Sequence, residues 1–219
     1  DLLDFPIDKL SEKIELDPND KKYYIKRGEQ YFKEEMYAEA IQDYNKAIEL
    51  DPEDRQAFDN RAITFVEMVE FEKALEDYNK VIELDPESAM AYQNRGITNN
   101  FLGRYTKAIE DFTKVIGFDP QDKETYYYRG KIYGDIGEYQ KAFDDFTKAI
   151  ELDQSYKEAY YWRGTSLSML DDDKKAIEDF TKTIELDDKY MPAYDQRGYV
   201  YGILGQYKKA LNDYDKALE

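Results

Sequence analysis

The chain has 219 residues, of which 42% are hydrophobic, enough for a continuous core despite 37% charged residues. With 49 acidic against 31 basic residues the formal net charge is -18, which argues against nucleic acid and anionic membrane surfaces, since phosphate binding needs clustered Lys and Arg. There is no Cys and no His, so thiol chemistry, disulfides and the commonest acid–base side chain are missing, and no apolar stretch approaches the ~20 residues of a membrane span.

From Lys21 onward the sequence keeps a 34-residue period. Arginines recur at Arg27, Arg61, Arg95, Arg129, Arg163 and Arg197, alanines at Ala40, Ala74, Ala108, Ala142, Ala176 and Ala210, and aspartates at Asp43, Asp77, Asp111, Asp145, Asp179 and Asp213. A fixed period without insertions is the mark of one supersecondary unit copied and stacked. The units run 21–54, 55–88, 89–122, 123–156, 157–190 and 191–219, the last cut short, after an N-terminal segment of residues 1–20.

Each unit predicts two helices. Tyr24, Gly28 and Tyr31 lie on one face of the first, and Ala40, Ile41, Tyr44, Ala47 and Ile48 mark the second. Gly103, Gly137 and Gly205 sit in the turn between them. Leu50-Asp51-Pro52, Leu84-Asp85-Pro86 and Phe118-Asp119-Pro120 end the second helices of the first three units. Gln154 and Asp188 replace that proline in the fourth and fifth units, so those joints are expected to rest on packing alone. Gly28, Gly96, Gly130, Gly164 and Gly198, with Ala62 completing the series, fall mid-helix. A glycine there costs about 1 kcal/mol against Ala, and the expected reason is close approach of the two helices, Gly against the periodic alanine.

The pattern Tyr/Phe-x-x-Arg-Gly-x-x-Tyr, then Ala-x-x-x-Tyr/Phe, then Pro resembles the tetratricopeptide repeat over residues 21–219. The resemblance implies an all-α, right-handed superhelical solenoid of antiparallel helix pairs, with first helices lining a concave groove. Residues 7–18 look like the second helix of a preceding unit. One departure holds in all six units: Arg stands where the family has Leu before the Gly, and Asp stands before the second-helix aromatic. In an antiparallel hairpin these positions face each other, which predicts an Arg–Asp ladder with one rung per unit. The alternative, an arginine stripe presented to an acidic ligand, is disfavoured because six aspartates match it.

The groove positions implied by the resemblance change along the chain. Lys22, Lys26 and Lys33 face Glu29 in the first unit; amides dominate next (Gln56, Asn60, Gln93, Asn94, Asn100); then come the aromatics Tyr127, Tyr128, Tyr161, Trp162 and Tyr199. Phe101 and Met169 are expected near them. Exposed Tyr and Trp beside adaptable amides suit a peptide-binding surface, so Asn60, Asn94, Phe101, Tyr127, Tyr128, Lys131, Tyr161, Trp162 and Tyr199 are the candidate partner-binding residues. The competing reading is that the tyrosines thicken the packing between first helices. The two-carboxylate clamp that some family members use on chaperone tails is matched only at Asn60, the other positions being Ile25, Glu29, Met90 and Asn94.

No catalytic constellation, metal site or cofactor motif emerges. Asp171-Asp172-Asp173 lacks the spacing of a calcium loop and reads as a turn. The expectation is a non-enzymatic scaffold whose partner is a protein or peptide, without nucleic acid, membrane or cofactor. The alternatives are a structural segment of a longer array that self-associates end to end, since Leu211, Tyr214 and Leu218 would lack a covering helix, or a regulatory module of a larger enzyme.

Overall fold

A computed structural model describes residues 5–218. Among them are thirteen helices and no strand: α1 (Ile7–Leu16), α2 (Lys21–Lys33), α3 (Tyr37–Leu50), α4 (Arg55–Glu67), α5 (Phe71–Leu84), α6 (Ala89–Phe101), α7 (Tyr105–Phe118), α8 (Lys123–Asp135), α9 (Tyr139–Leu152), α10 (Lys157–Met169), α11 (Asp173–Leu186), α12 (Met191–Ile203) and α13 (Tyr207–Ala217). The helices form two compact units that divide between Lys114 and Val115. In the first, Tyr24, Ile25, Ala47 and Ala57 join α2, α3 and α4, with Ile14 of α1 packed against them. In the second, Leu167, Ala176, Phe180 and Val200 join α10, α11 and α12. Each cluster spans at least three consecutive helices, so no hairpin closes its own core.

The first helices end in one recurring way. Glu35, Val69, Gly103, Gly137, Asp171 and Gly205 all hold φ between 60° and 80°. The residue after each donates its N–H back to the last turn, from Met36 N to Tyr31 O at 2.8 Å through Gln206 N to Tyr201 O at 2.8 Å. This is the Schellman arrangement, in which a left-handed residue lets two orphan carbonyls be satisfied. Glycine marks only half of these turns. Asp171 is such a cap and Asp172 accepts the Lys175 N–H at the start of α11, which accounts for the acidic run. Val69 is the strained member, a β-branched residue at φ 61° whose side chain packs little, being 69% exposed. Val69→Gly is therefore expected to raise stability by about 0.5–1 kcal/mol. A urea midpoint that falls in this variant would contradict the strain.

The inter-unit joints differ from expectation. Lys157 bonds Asp187 at 2.5 Å and Lys123 bonds Asp153 at 2.5 Å, across the two joints that lack proline. Lys21–Asp51 and Arg55–Asp85 repeat the pairing at joints that keep it. A cation thirty residues upstream thus clips the joint aspartate, and packing does not act alone. The Lys123 ammonium, then the Ser155 hydroxyl and N–H, hold the Asp153 carboxyl down from its ordinary 3.8 to about 2. Asp51 and Asp187 are lowered in the same way, first by Lys21 and Lys157. A folded-state pKa below the unfolded one contributes stability that is present above the unfolded value and lost as pH falls through the folded value. The stability gap between the parent chain and Asp153→Asn should therefore be constant near neutrality and close as pH drops from about 4 to about 2. A gap that survives at the acid end would assign the joint to packing after all.

The mid-helix glycines also differ from expectation. A Cβ on Gly28 would lie 2.6 Å from Tyr44 Cε1, one on Gly130 3.0 Å from Phe146 Cε1, and one on Gly164 2.9 Å from Phe180 Cε1. The close partner is the aromatic ring of the second helix, not the periodic alanine; only at Gly198 does an alanine atom, Ala210 O at 3.3 Å, rank among the nearest.

Candidate functional site

The periodic arginines are spent on the fold. Each donates Nε and Nη2 to the two oxygens of its aspartate, as in Arg27–Asp43 at 2.8 and 2.7 Å and Arg197–Asp213 at 2.7 and 2.8 Å. The same bidentate pair recurs in Arg61–Asp77, Arg95–Asp111, Arg129–Asp145 and Arg163–Asp179. A further N–H, from Nη1, reaches the second helix of the preceding hairpin: Ser11 for Arg27, Asn45 for Arg61, Asn79 for Arg95, Thr147 for Arg163 and Thr181 for Arg197. One guanidinium therefore closes its own hairpin and clasps the previous one. Ser11 occupies the register of Asn45, so α1 takes the place of a second helix.

In residues 115–218 the first helices α8, α10 and α12 pack side by side. Across α8 and α10, the Lys131 ammonium lies 4.5 Å from the centre of the Trp162 ring. Tyr128 meets Tyr127 edge-on at 5.6 Å, and Tyr161 meets Trp162 at 5.2 Å. Tyr127, Tyr128, Lys131, Tyr161 and Trp162 thus form one patch. Tyr127, Tyr161 and Trp162 are only partly exposed, whereas Tyr128 and Tyr199 are exposed at 39% and 56%.

Two tyrosines missing from the sequence-derived set complete the patch. Tyr156 packs 5.2 Å from Tyr127 and Tyr190 packs 5.3 Å from Tyr161. Both stand at the residue preceding a first helix, where Asp20, Asp54, Ser88 and Asp122 cap the helices before them with side-chain hydrogen bonds. Neither tyrosine caps its helix. Losing a cap costs about 1 kcal/mol, and an aromatic pair returns about 0.5–1.5 kcal/mol, so the exchange is near neutral for stability and changes the surface. Burial, the largest influence, raises the hydroxyls of Tyr127, Tyr161 and Tyr156, and Tyr190 to about 12. All four stay neutral hydrogen-bonding groups at physiological pH. The break in the Asp/Ser series at 156 and 190 was the available sequence signal.

The remaining candidates lie in residues 5–114. The Asn60 amide donates to Glu29 at 3.3 Å, beside Gln56 at 2.9 Å and Lys26 at 2.6 Å on the same carboxylate. Asn94 is half-buried on α6, and its carbonyl accepts the Thr98 hydroxyl at 2.8 Å. Phe101 is 62% exposed and stacks on Phe71 of α5 at 5.4 Å with an interplanar angle of 9°; one face of its ring is taken by packing.

Stacked helix hairpins with a varied side-chain patch on one row of helices define a repeat solenoid, and the comparisons say which kind. Tetratricopeptide repeat profiles match residues 22–54 and 124–156, 77–110, and 56–88, 157–190 and 192–219. The chain belongs to the tetratricopeptide repeat family. It is similar to the crystal structure of MamA, at 30% identity over 72% of this chain and 92% of that one, with a TM-score of 0.69. It shares its fold with YrrB, described as a tetratricopeptide protein with an unusual peptide-binding site, at 20% identity over 86% and 97% of the two chains and a TM-score of 0.74. The C-terminal part of a repeat protein from Cytophaga hutchinsonii gives 22% identity over 97% and 88%, with a TM-score of 0.84. No curated protein matches the chain. No described helix is long and apolar enough to cross a membrane.

Proposed function

We propose that the chain is a protein-interaction scaffold that takes a peptide or partner segment on the face built by α8, α10 and α12, with Trp162, Tyr128, Lys131 and Tyr199 as contacts and Tyr127 and Tyr161 beneath them. Asn60, Asn94 and Phe101, on α4 and α6 of the first compact unit, are proposed as a contact set of their own. The observation that carries this reading is the exchange of two capping residues for Tyr156 and Tyr190, which back Tyr127 and Tyr161 with rings. Aromatic anchors that are already held in place bind at little entropic cost. The peptide-binding description of YrrB and the family's repeat architecture support the same reading.

Trp162 is the single tryptophan, so its emission reports occupancy of the patch directly. Peptides selected from a displayed pool on the immobilised chain are expected to shift that emission, and to bind the Trp162→Ala, Tyr128→Ala double variant at least about tenfold more weakly. Equal affinity for the double variant would sink the proposal.

A second reading rests on α13, where Tyr207 and Leu211 are 70% and 64% exposed, and on Leu218 just after it, 87% exposed. That strip would suit end-to-end association between copies of the chain. Sedimentation equilibrium tests it: a concentration-dependent mass that Leu211→Glu abolishes supports association, and a constant monomer mass rejects it.

A further inference from the structure

The second helices of the second, fourth and fifth units begin with a small charge motif that the sixth unit alters. A lysine recurs at Lys73, Lys107, Lys141, Lys175 and Lys209. In three units an acid three residues earlier neutralises it: Glu70 for Lys73, Glu138 for Lys141 at 3.3 Å, and Asp172 for Lys175 at 2.7 Å. A second acid recurs one turn further on, at Glu76, Glu110, Asp144 and Glu178. In the sixth unit both acids have become amides, Gln206 and Asn212, beside a lysine pair, Lys208 and Lys209, that the fifth unit shares as Lys174 and Lys175 with its acids kept.

These residues line a cleft of about 810 Å³ at the start of α13. Its one carboxylate, Asp213, is held by Arg197 at 2.7 and 2.8 Å. Among the described residues no carboxylate forms an ion pair with Lys208 or Lys209; the Lys209 ammonium lies 5.1 Å from the centre of the Tyr201 ring. Removing the acids gives no stability: acids favour a helix N-terminus and lysines there oppose it, by about 0.3–1 kcal/mol each. What the exchange creates is a cationic cleft with amide donors and two tyrosines, Tyr201 and Tyr207, on a chain of net charge -18.

We propose that this cleft binds an oxyanion, the carboxylate or phosphate of a partner's peptide segment. Lys208 and Lys209 supply the charge, Gln206 and Asn212 supply neutral donors, and Tyr201 and Tyr207 pack against the flanking side chain. Charge-assisted hydrogen bonds of this kind are stronger than neutral ones, and between exposed groups they weaken with salt. The site is separate from the aromatic patch and stands whether or not that patch binds peptide.

The test is a titration of the isotope-labelled chain, followed by backbone amide shifts at low salt, with inorganic phosphate, a tetraglutamate peptide and a phosphoserine peptide as probes. Saturable shifts confined to residues 205–213 are expected, and the tightest probe identifies the source of the oxyanion. Gln206→Glu with Asn212→Asp, which restores the acids of the other units, should weaken binding at least about tenfold with helicity unchanged. Glu138→Gln with Gln140→Lys and Asp144→Asn should create a matching site at residues 137–145. No saturable binding, shifts spread over all the lysine-bearing helices, or equal affinity in the acid-restored variant would overturn the proposal.

Discussion

Asp179→Ala is expected to lower the unfolding free energy by about 3 kcal/mol, the low end of the ~3–5 kcal/mol seen when one partner of a buried ion pair is removed. Asp179 is 5% exposed and receives Arg163 Nε at 2.7 Å and Nη2 at 2.8 Å. Truncation leaves the guanidinium with Thr147, at 3.4 Å, as its remaining side-chain acceptor, between the rings of Phe143 and Tyr160. The low end applies because the Arg163 side chain keeps 19% of its surface in solvent. Burial, the largest influence, pushes the Asp179 carboxyl above its ordinary range, and the Arg163 hydrogen bond offsets this only in part. A folded-state pKa above the unfolded one favours folding most below the unfolded value, and that contribution is lost as pH rises through the folded value. Because desolvation of two ions offsets most of their attraction, an intact rung adds little net stability, while a broken one is costly. The double variant Arg163→Met, Asp179→Leu should accordingly recover to within about 1 kcal/mol of the parent. Glu185→Ala gives the scale of a surface pair: Lys182–Glu185 spans 3.1 Å with side chains 43% and 61% exposed, and its loss should cost under about 0.5 kcal/mol. If Asp179→Ala costs no more than Glu185→Ala, the ladder is not a structural element.

The period made the hairpins and the rungs legible, because Arg and Asp sixteen residues apart must face each other across an antiparallel turn. The third N–H was not legible. Its acceptor lies sixteen residues upstream, on the hairpin before, and only the stacking of units brings Ser11 or Thr181 within reach. The joints were half-written. A cation stands thirty residues before Asp51, Asp85, Asp153 and Asp187, but proline drew attention to a different stop signal. The left-handed caps at Glu35, Val69 and Asp171 were hidden because their residue types do not advertise the conformation that three glycines elsewhere do. The aromatics that keep the period on the second helices, Tyr44, Tyr78, Phe112, Phe146 and Phe180, are buried, and the patch is built from aromatics that depart from it on the first helices. Tyr156 and Tyr190 were missed because they depart from a capping series, where side chains are ordinarily read as local. The acid-to-amide changes at Gln206 and Asn212 are legible in the same way, by asking of each unit which charge it has dropped.

Gly164→Leu is expected to destabilise the chain by about 3 kcal/mol, the upper part of the usual overpacking cost. A Cβ alone would lie 2.9 Å from Phe180 Cε1 and 3.2 Å from Asp179 Cβ. Phe180 is fully buried beside Leu167, Ala176 and Val200, so its ring has no free volume to retreat into. A longer side chain must spread α10 from α11, and the bidentate geometry of the Arg163–Asp179 rung, whose residues flank that contact, would loosen with it. The native exception shows the limit. Ala62 fills the same register in α4, fully buried against Tyr78, so one methyl is tolerated where the ring has settled to admit it. At Gly96 the nearest atoms to an added Cβ are Asp111 Cβ at 3.2 Å and Phe112 Cζ at 3.3 Å. There the methyl's crowding should nearly cancel the gain of about 1 kcal/mol in helix propensity. The order of urea midpoints should therefore be parent close to Gly96→Ala, then Gly164→Ala, then Gly164→Leu. If Gly164→Ala matched or exceeded Gly96→Ala, the glycines would not be answering to the aromatic rings, and the close approach of the paired helices would need another cause.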